Sequence, residues 1–273
     1  MASGTLLAGP FAGEFGWELL SWQAYVRKQS RGFATTIVSC PPGHQALYQD
    51  FTPLILTHAI QGVKDCWRTS PDQAPQLRQA YNLLVPQHSG TLLACRRRYE
   101  LAEQEFIRFG TLQRVTESER CDVLLHVREA FGKHPEHSWA PLHAELVTDV
   151  LRKQGFSVGA IGTQAYCPQN AKDLRRIDLS RLMDLMAAAK LVAGPSSGPL
   201  HLASLCGTPQ VVWTDKQVYS ALGGTNRQRY EMLWNPLQTP VTVIDEFGWQ
   251  PPVGAIVKAV RESCACLKSS PKS

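Results

Sequence analysis

Several features that would decide the class of this protein at once are missing from its sequence. No apolar run approaches the roughly 18 residues that a membrane-spanning helix needs, and the eight scattered cysteines include no CxxC pair. With 20 glycines and 18 prolines in 273 residues and 19 % charged residues, collagen-like, coiled-coil and mainly disordered chains are excluded.

The N-terminal twenty residues also lack the basic segment of a signal peptide, and glycine, proline and glutamate interrupt their apolar stretch. We therefore expect a soluble, cytoplasmic protein without a transmembrane segment. Its cysteines should be reduced core thiols, because their spacing fits neither a zinc site nor a disulfide scaffold.

The charge that is present is mildly basic. A net charge of +5 is spread along the chain, which favours an anionic ligand without identifying nucleic acid. The single dense cluster, Arg96–Arg98, fits either a solvated helix face or a contact with a polyanion.

Short apolar segments alternate with amphipathic segments of helical length. This pattern predicts strands at 5–11, 35–40, 122–127, 156–162, 190–194, 210–214 and 241–245, and helices at 14–27, 99–109, 141–154, 180–189, 199–206 and about 253–266. Such alternation indicates parallel sheets with helices on both faces, and ligands bind at the carboxyl ends of the strands of such sheets.

The alternation restarts after the polar segment 116–120. We predict an α/β protein with two Rossmann-like domains, 1–117 and 118–273, that face a cleft. The last helix would belong to the second domain or pack back on the first, and a single larger sheet is the alternative.

The most informative segment is 191–213, which predicts a strand, a short hydroxyl-rich loop and a helix. A serine N-cap, a proline in the first turn and a final glycine delimit this helix (Ser196 or Ser197, Pro199 and Gly207). Backbone N–H groups and the positive end of the helix dipole would face outward and bind an anion. His201, one turn further, would add a donor.

This segment resembles the signature of heptosyltransferase-like glycosyltransferases of the GT-B fold, roughly Gly-x-Asp-Thr-Gly-Pro-x-His-x-Ala followed by Gly-x-Pro. The positions in register are Gly194, Gly198, Pro199, His201, Ala203, Gly207 and Pro209. The resemblance covers about 120–215, and Ser196 and Ser197 replace the aspartate and threonine of the family. The loop thereby loses a negative charge and keeps its hydrogen-bonding groups.

The resemblance implies a GT-B fold with a reduced N-terminal domain and a nucleoside-diphosphate sugar as donor, with no other cofactor and no metal. A hydroxyl of the acceptor would displace the diphosphate directly, with inversion. The implied donor-binding residues are Arg128, Lys133, Gly162, Thr163, Ser196, Ser197, Gly198 and His201. His134 and His137, three residues apart, lack a nearby cysteine or aspartate partner for a metal.

A second candidate site follows the first strand, where glycines allow a ligand to approach the backbone closely. The resemblance makes Glu14 the general base, and the acceptor-binding residues would be Gly13, Gly16, Trp17 and Glu18. Either glutamate would instead merely stabilise the helix N-terminus. Trp17 and Trp22 would line the cleft or belong to the core.

Further residues at a carboxyl edge are Asn226, Arg227, Arg229 and Tyr230, which we place in a loop that contacts the donor or is only surface. The acceptor would be a glycan or a small molecule, or hydroxymethylated bases in DNA if the chain is phage-encoded and acts in a host cytoplasm. The alternatives from other classes are a nucleotide-sugar epimerase and a non-catalytic nucleotide-sugar-binding protein. The donor sugar, its base and the oligomeric state do not follow from the sequence.

Overall fold

The computed structural model describes residues 3–60, 89–95, 100–129, 135–217 and 224–269, with isolated positions between 75 and 87. The chain divides into two compact units, Met1–Ile107 and Arg108–Ser273. The second unit begins before residue 118, because the segment that starts at residue 108 forms hydrogen bonds with helices of that unit. The Phe109 amide donates to Leu205 O at 2.9 Å, and the Thr111 amide donates to Asp184 Oδ1 at 2.7 Å.

The first unit holds a parallel sheet and a long helix. Its described elements are β1 (Thr5–Ala8), α1 (the consecutive segments Phe15–Trp17, Glu18–Trp22 and Gln23–Ser30), β2 (Thr35–Cys40), β3 (Ile55–Thr57) and β4 (Thr91–Leu93). The strands lie in the order β3-β2-β1-β4 and are all parallel. The apolar run of β1 is almost fully buried, as expected for a parallel strand covered on both faces.

A buried arginine joins α1 to the segment after β2. Arg27 donates to both carboxylate oxygens of Asp50 at 2.7 and 2.9 Å and to Leu47 O at 3.1 Å. Such a bidentate pair fixes geometry as well as charge. It therefore sets the position of the neighbouring Tyr48 relative to the helix.

The second unit holds a larger parallel sheet. Its described elements are β5 (Val123–His126), α2 (Pro141–Lys153), β6 (Val158–Gly162), β7 (Lys172–Arg175), α3 (Leu179–Ala188), β8 (Leu191–Pro195), α4 (Gly198–Cys206), β9 (Gln210–Trp213), α5 (Asn226–Met232), β10 (Val241–Ile244) and α6 (Val253–Ser269). The strand order is β10-β9-β8-β5-β6-β7, again all parallel.

The core of this unit explains its sequence pattern. Residues of β5, β6, β8 and β9 pack with α2 and α6 into one buried apolar cluster, so the strands read as continuous apolar runs. The last helix thus belongs to the second unit. The described strands form two separate sheets, and the alternative of a single larger sheet is wrong.

Each sheet has a point where the strand order reverses. In the first unit β1 lies between β2 and β4, and in the second β5 lies between β6 and β8. Ligands of open α/β sheets bind beside such points, at the carboxyl ends of the strands. The loops that follow β1, β5 and β8 occupy these positions.

The predicted helix at 99–109 is wrong within the described residues. Only Leu101–Glu103 forms a single 3-10 turn, which a reciprocal capping box between Glu100 and Glu103 closes. The chain then runs extended, and the Glu105 amide donates to Ala24 O at 2.9 Å. Hydrogen bonds to another element thus outweigh the local helical pattern.

Candidate functional site

The loop between β8 and α4 forms the predicted anion site. Ser197 occupies the N-cap position, but its side chain does not cap the helix. Its hydroxyl instead donates to Pro195 O at 2.8 Å and lies 2.9 Å from Nδ1 of His126. The prediction of a serine side-chain cap is therefore wrong, and the amide of Gly198 opens the helix without a cap from any described side chain.

Arg128 lies beside this loop, as the sequence predicts. It follows β5, and its Nη1 donates to Ser196 O at 2.8 Å. Its guanidinium carbon is 6.0 Å from the centre of the Trp249 ring. A permanent positive charge thus stands next to the positive end of the α4 dipole, which is the electrostatic setting that favours an anion.

Two buried histidines underlie the loop. Burial, together with the charge of Arg128, lowers the pKa of both His126 and His201 to about 3, so both are neutral at pH 7. Within the described structure neither ring nitrogen of His201 has a hydrogen-bond partner, although its side chain is only 9 % exposed. A buried polar group without a partner is costly.

Two glycines make room for His126. Gly162 has φ +116°, and a Cβ there would lie 2.8 Å from Cδ2 of His126. A Cβ at Gly194 would lie 2.9 Å from Cβ of His126. Both positions therefore serve packing around the imidazole. Thr163 is exposed, and Lys133 and His134 lie outside the described residues.

The predicted loop at 226–230 is a helix, α5, because Thr225 and Gln228 form a capping box at its start. Arg227 donates to both oxygens of Asp245 at 2.8 and 2.7 Å. Arg229 is buried and donates to Asn226 Oδ1 at 3.2 Å. Both arginines are therefore engaged within the protein, which contradicts their placement in a ligand-binding loop.

Sequence reasoning named His137 but missed its neighbours Trp249 and Asp215, which lie near Arg128. The indole Nε1 of Trp249 donates to Asp215 Oδ2 at 3.0 Å, and the ring of His137 stacks on Trp249 with centroids 3.7 Å apart. Asp215 follows β9 closely, and such a carboxyl-edge position is the signal that would have found it. The described residues contain no cluster of three metal-ligating side chains.

In the first unit, the loop after β1 is held close to β2. A Cβ at Gly9, which has φ +108°, would lie 2.6 Å from Ser39 O. The loop ends at Glu14, an exposed residue at the N-cap position of α1 whose carboxylate does not cap the helix. Glu14 thus makes no capping hydrogen bond, although its charge lies at the positive end of the α1 dipole, as the alternative for Glu14 expects.

Glu18 is placed very differently. Its side chain is 0 % exposed, and its two carboxylate oxygens face His44 Nδ1 at 2.5 Å and the hydroxyl of Tyr48 at 2.7 Å. The prediction that Glu18 binds a sugar hydroxyl directly does not agree with this geometry, because the carboxylate is sealed from solvent.

The buried carboxylate of Glu18 also shifts the pKa values of neighbouring side chains. Burial alone would lower the pKa of His44, but the hydrogen bond and charge of Glu18 outweigh it and raise that pKa above 6.5. Burial first, and then the charge of Glu18, raises the pKa of Cys40 to about 12. The cysteine is therefore a neutral thiol.

The other residues predicted to form the first-unit site lie partly at the surface and partly in the core. Gly13, Gly16 and Trp17 are partly exposed, whereas Trp22 is fully buried and stacks on Phe11 with centroids 6.3 Å apart. Trp22 is thus a core residue. Arg96–Arg98 lie outside the described residues.

With this geometry established, three solved structures are informative. They are a family 9 glycosyltransferase of Veillonella parvula (TM-score 0.60, 13 % identity, 98 % of this chain and 99 % of that one), the ADP-heptose LPS heptosyltransferase II of E. coli (0.58, 14 %, 97 % and 99 %) and the E. coli heptosyltransferase WaaC with ADP (0.58, 12 %, 95 % and 99 %). The chain has a GT-B fold. The predicted α/β class and the resemblance to heptosyltransferase-like proteins are confirmed at the level of the fold.

Comparison at the level of sequence gives fewer matches than comparison of structures. No family model matches the chain. The protein FlbA of Caulobacter vibrioides is 29 % identical over an alignment of 150 residues that covers 52 % of this chain and 24 % of FlbA. The chain thus matches about a quarter of the length of that relative. None of the described helices is both long enough and apolar enough to span a bilayer.

Proposed function

We propose that the chain is a glycosyltransferase that moves a sugar from a nucleoside-diphosphate sugar to a hydroxyl. The observation that carries the proposal is the group at the strand reversal of the second unit. There Arg128 contacts the β8–α4 loop, the helix start has no side-chain cap, and His201 is buried with both ring nitrogens unpaired.

The donor diphosphate is proposed to bind at this group. Arginine recognises phosphate oxygens through charge-assisted hydrogen bonds, and the amide of Gly198 adds the helix N-terminus. Lys133 would supply a further charge, and His201 a neutral donor. These residues would neutralise the departing diphosphate without a metal or another cofactor. Gly162, Thr163, Ser196 and Ser197 complete the proposed donor set.

The acceptor is proposed to bind in the first unit, with Glu14 as the general base. The hydroxyl oxygen would attack the anomeric carbon while the bond to the diphosphate breaks and the leaving group takes the electron pair. The proton of the hydroxyl would pass to Glu14. A single direct displacement inverts the configuration. The support is the position of Glu14, exposed beside the strand reversal and not used as a helix cap.

Nucleotide binding tests the proposal. ADP, UDP and GDP are titrated calorimetrically into the wild type, R128A and R152A, a control at an exposed arginine near the end of α2. A charged hydrogen bond is worth about 1.5–3 kcal/mol, so R128A should bind the preferred diphosphate roughly 10- to 100-fold more weakly. The matching nucleoside should lose less than about threefold.

Equal losses for diphosphate and nucleoside in R128A would assign Arg128 a packing role. A wild type that binds none of the three diphosphates would contradict the proposed function. The bound nucleotide sugar, incubated without acceptor, separates the epimerase alternative, which would return an epimerised sugar.

A further inference from the structure

In the cluster of Glu18, His44 and Tyr48, the hydrogen bonds of the buried carboxylate fix the tautomer of His44. Glu18 is ionisable and fully buried, and a buried carboxylate is tolerated when it is paired and hydrogen-bonded. Tyr48 satisfies one oxygen and His44 Nδ1 the other. Because an ionised carboxylate only accepts hydrogen bonds, Nδ1 must carry a proton. In the neutral ring the lone pair then resides on Nε2.

The outer side of this ring is open. The His44 side chain is 28 % exposed, and none of the described residues forms a hydrogen bond with Nε2. The ring stands edge-on to Phe15, with centroids 5.1 Å apart. Phe15 directly follows Glu14, so His44 lies at the same carboxyl edge as the proposed base.

A second histidine at this edge provides a contrast. Nε2 of His58 pairs with Phe11 O at 2.7 Å, and its Nδ1 accepts the amide of Ile60 at 3.3 Å. Both nitrogens of His58 thus hold the backbone of loops. His44 uses one nitrogen internally and presents the other.

We propose that His44 positions the acceptor: its Nε2 accepts a hydrogen bond from a second O–H group beside the attacking one, and Glu18 fixes the ring in the required tautomer. The second group is a neighbouring hydroxyl of a polyol or, when water is the acceptor, the other O–H of the water molecule. This inference rests on the proposed function and leaves the proton transfer to Glu14 unchanged. The subsite carries the negative charge of Glu18 and a neutral imidazole, so it favours an uncharged hydroxyl group over a phosphate or carboxylate at this position.

The arrangement makes acceptor positioning depend on pH, because a protonated ring has no lone pair on Nε2. The titratable groups that act on His44 or its partners are Glu18 from α1, Tyr48 after β2, His58 after β3, and Cys40 and Cys95 near the ends of β2 and β4. Glu18 raises the pKa of His44 against the effect of burial. The rate should therefore fall as the pH drops through a value above 6.5.

The experiment uses the full chain and ADP-heptose, with water in place of the unidentified acceptor, and measures ADP release from pH 5 to 9. Misplacing a reactant by about 1 Å can cost on the order of 100-fold in rate, so H44A should be at least about tenfold slower at pH 8. H44Q, which keeps a hydrogen-bonding group and cannot titrate, should recover part of the rate and lose the acidic limb. H143N, a histidine of α2 in the other unit, is the matched control.

A variant of Glu18 tests the proposal through the pH dependence of the rate, which a purely structural role of His44 would not change. In E18Q the negative charge that raises the pKa of His44 is removed, and an uncharged amide oxygen accepts a weaker hydrogen bond, while burial remains. The acidic limb should therefore shift to lower pH. Nitrogen NMR of histidine-labelled protein should show His44 protonated at Nδ1 and bare at Nε2 above its pKa. Unchanged ADP affinity in each variant confirms that the fold is intact.

Wild-type rates and an unchanged acidic limb in both H44A and H44Q would overturn the inference, as would a proton found on Nε2 of neutral His44. Those results would leave the proposed function standing if the wild type binds ADP and releases it from ADP-heptose. A wild type that binds none of ADP, UDP and GDP would contradict the proposed function, and the role of His44 would fail with it.

Discussion

The two units place buried polar groups at the same point of their sheets but satisfy them differently. In the first unit Glu18 is completely buried and both oxygens are paired, with His44 and Tyr48. In the second unit His201 is almost as deeply buried, and neither ring nitrogen is paired within the described structure. The first polar group has its partners within the unit, and the second has none among the described residues.

This difference suggests different roles for the polar groups of the two units. Polar groups that find their partners inside the protein fix geometry, and those left without a partner stabilise whatever supplies one. The first unit would therefore align a reactant, whereas the second would bind an anion. Three predictions test this contrast between the units.

The largest effect is expected from the exposed base of the first unit. A general base contributes about 10²–10⁴-fold to a rate, so E14Q should slow diphosphate release from the nucleotide sugar that the wild type uses by at least about a hundredfold. The affinity for the diphosphate should stay within about twofold, because the nucleotide is proposed to bind to the other unit. E14D, which keeps a carboxylate, should recover part of the rate. A variant E14Q with near-normal turnover would remove Glu14 from the mechanism.

The fold was predictable where packing repeats a simple pattern. Parallel strands covered on both faces read as apolar runs, so β1, β2, β5, β6, β8, β9 and β10 follow from the sequence. The strands β3, β4 and β7 did not. They are three or four residues long and lie at sheet edges, as β10 does, but they lack its run of β-branched residues, Val-Thr-Val-Ile. The charged sequence of β7 is typical of an edge strand that discourages further pairing and hides its periodicity.

The site was predictable where it depends on local chain order. Gly194, Pro199 and Gly207 delimit a strand, a loop and a helix, and parallel topology brings Arg128 to the same edge. The partners of buried groups were not predictable. That Glu18 meets His44, 26 residues away, depends on how β2 pairs with β1 and on the turn that follows it. No local pattern encodes such a contact.

The second prediction uses the opposite pKa shifts in the two units. The pKa of His201 is about 3 in the folded chain, against an ordinary value near 6.5. Its stabilising contribution is therefore complete above pH 6.5 and is lost as the pH falls toward 3. The variant H201N should reduce this acid destabilisation by up to about 1.4 kcal/mol per pH unit.

His44 should behave in the reverse sense. Its pKa is raised in the folded chain, so its contribution is complete below pH 6.5 and is lost as the pH rises through the folded pKa. Chemical denaturation of the wild type, H201N and H44N between pH 4 and 8.5 measures both trends. The comparison between the units would fail if the two variants changed the pH dependence of unfolding in the same direction.

The smallest effect concerns the close packing under the anion loop. A Cβ at Gly194 would lie 2.9 Å from both Cβ of His126 and Cδ2 of Leu200, so G194A overpacks this contact and should cost about 1–3 kcal/mol. Gly254, in the first turn of α6, has no atom within 4 Å of the corresponding position, and G254A should be neutral or stabilise by up to about 1 kcal/mol. If close packing positions the β8–α4 loop, G194A should also weaken ADP binding, and G254A should not. Equal stabilities and ADP affinities in the two variants would mean that the loop tolerates displacement, and that His126 does not set its position.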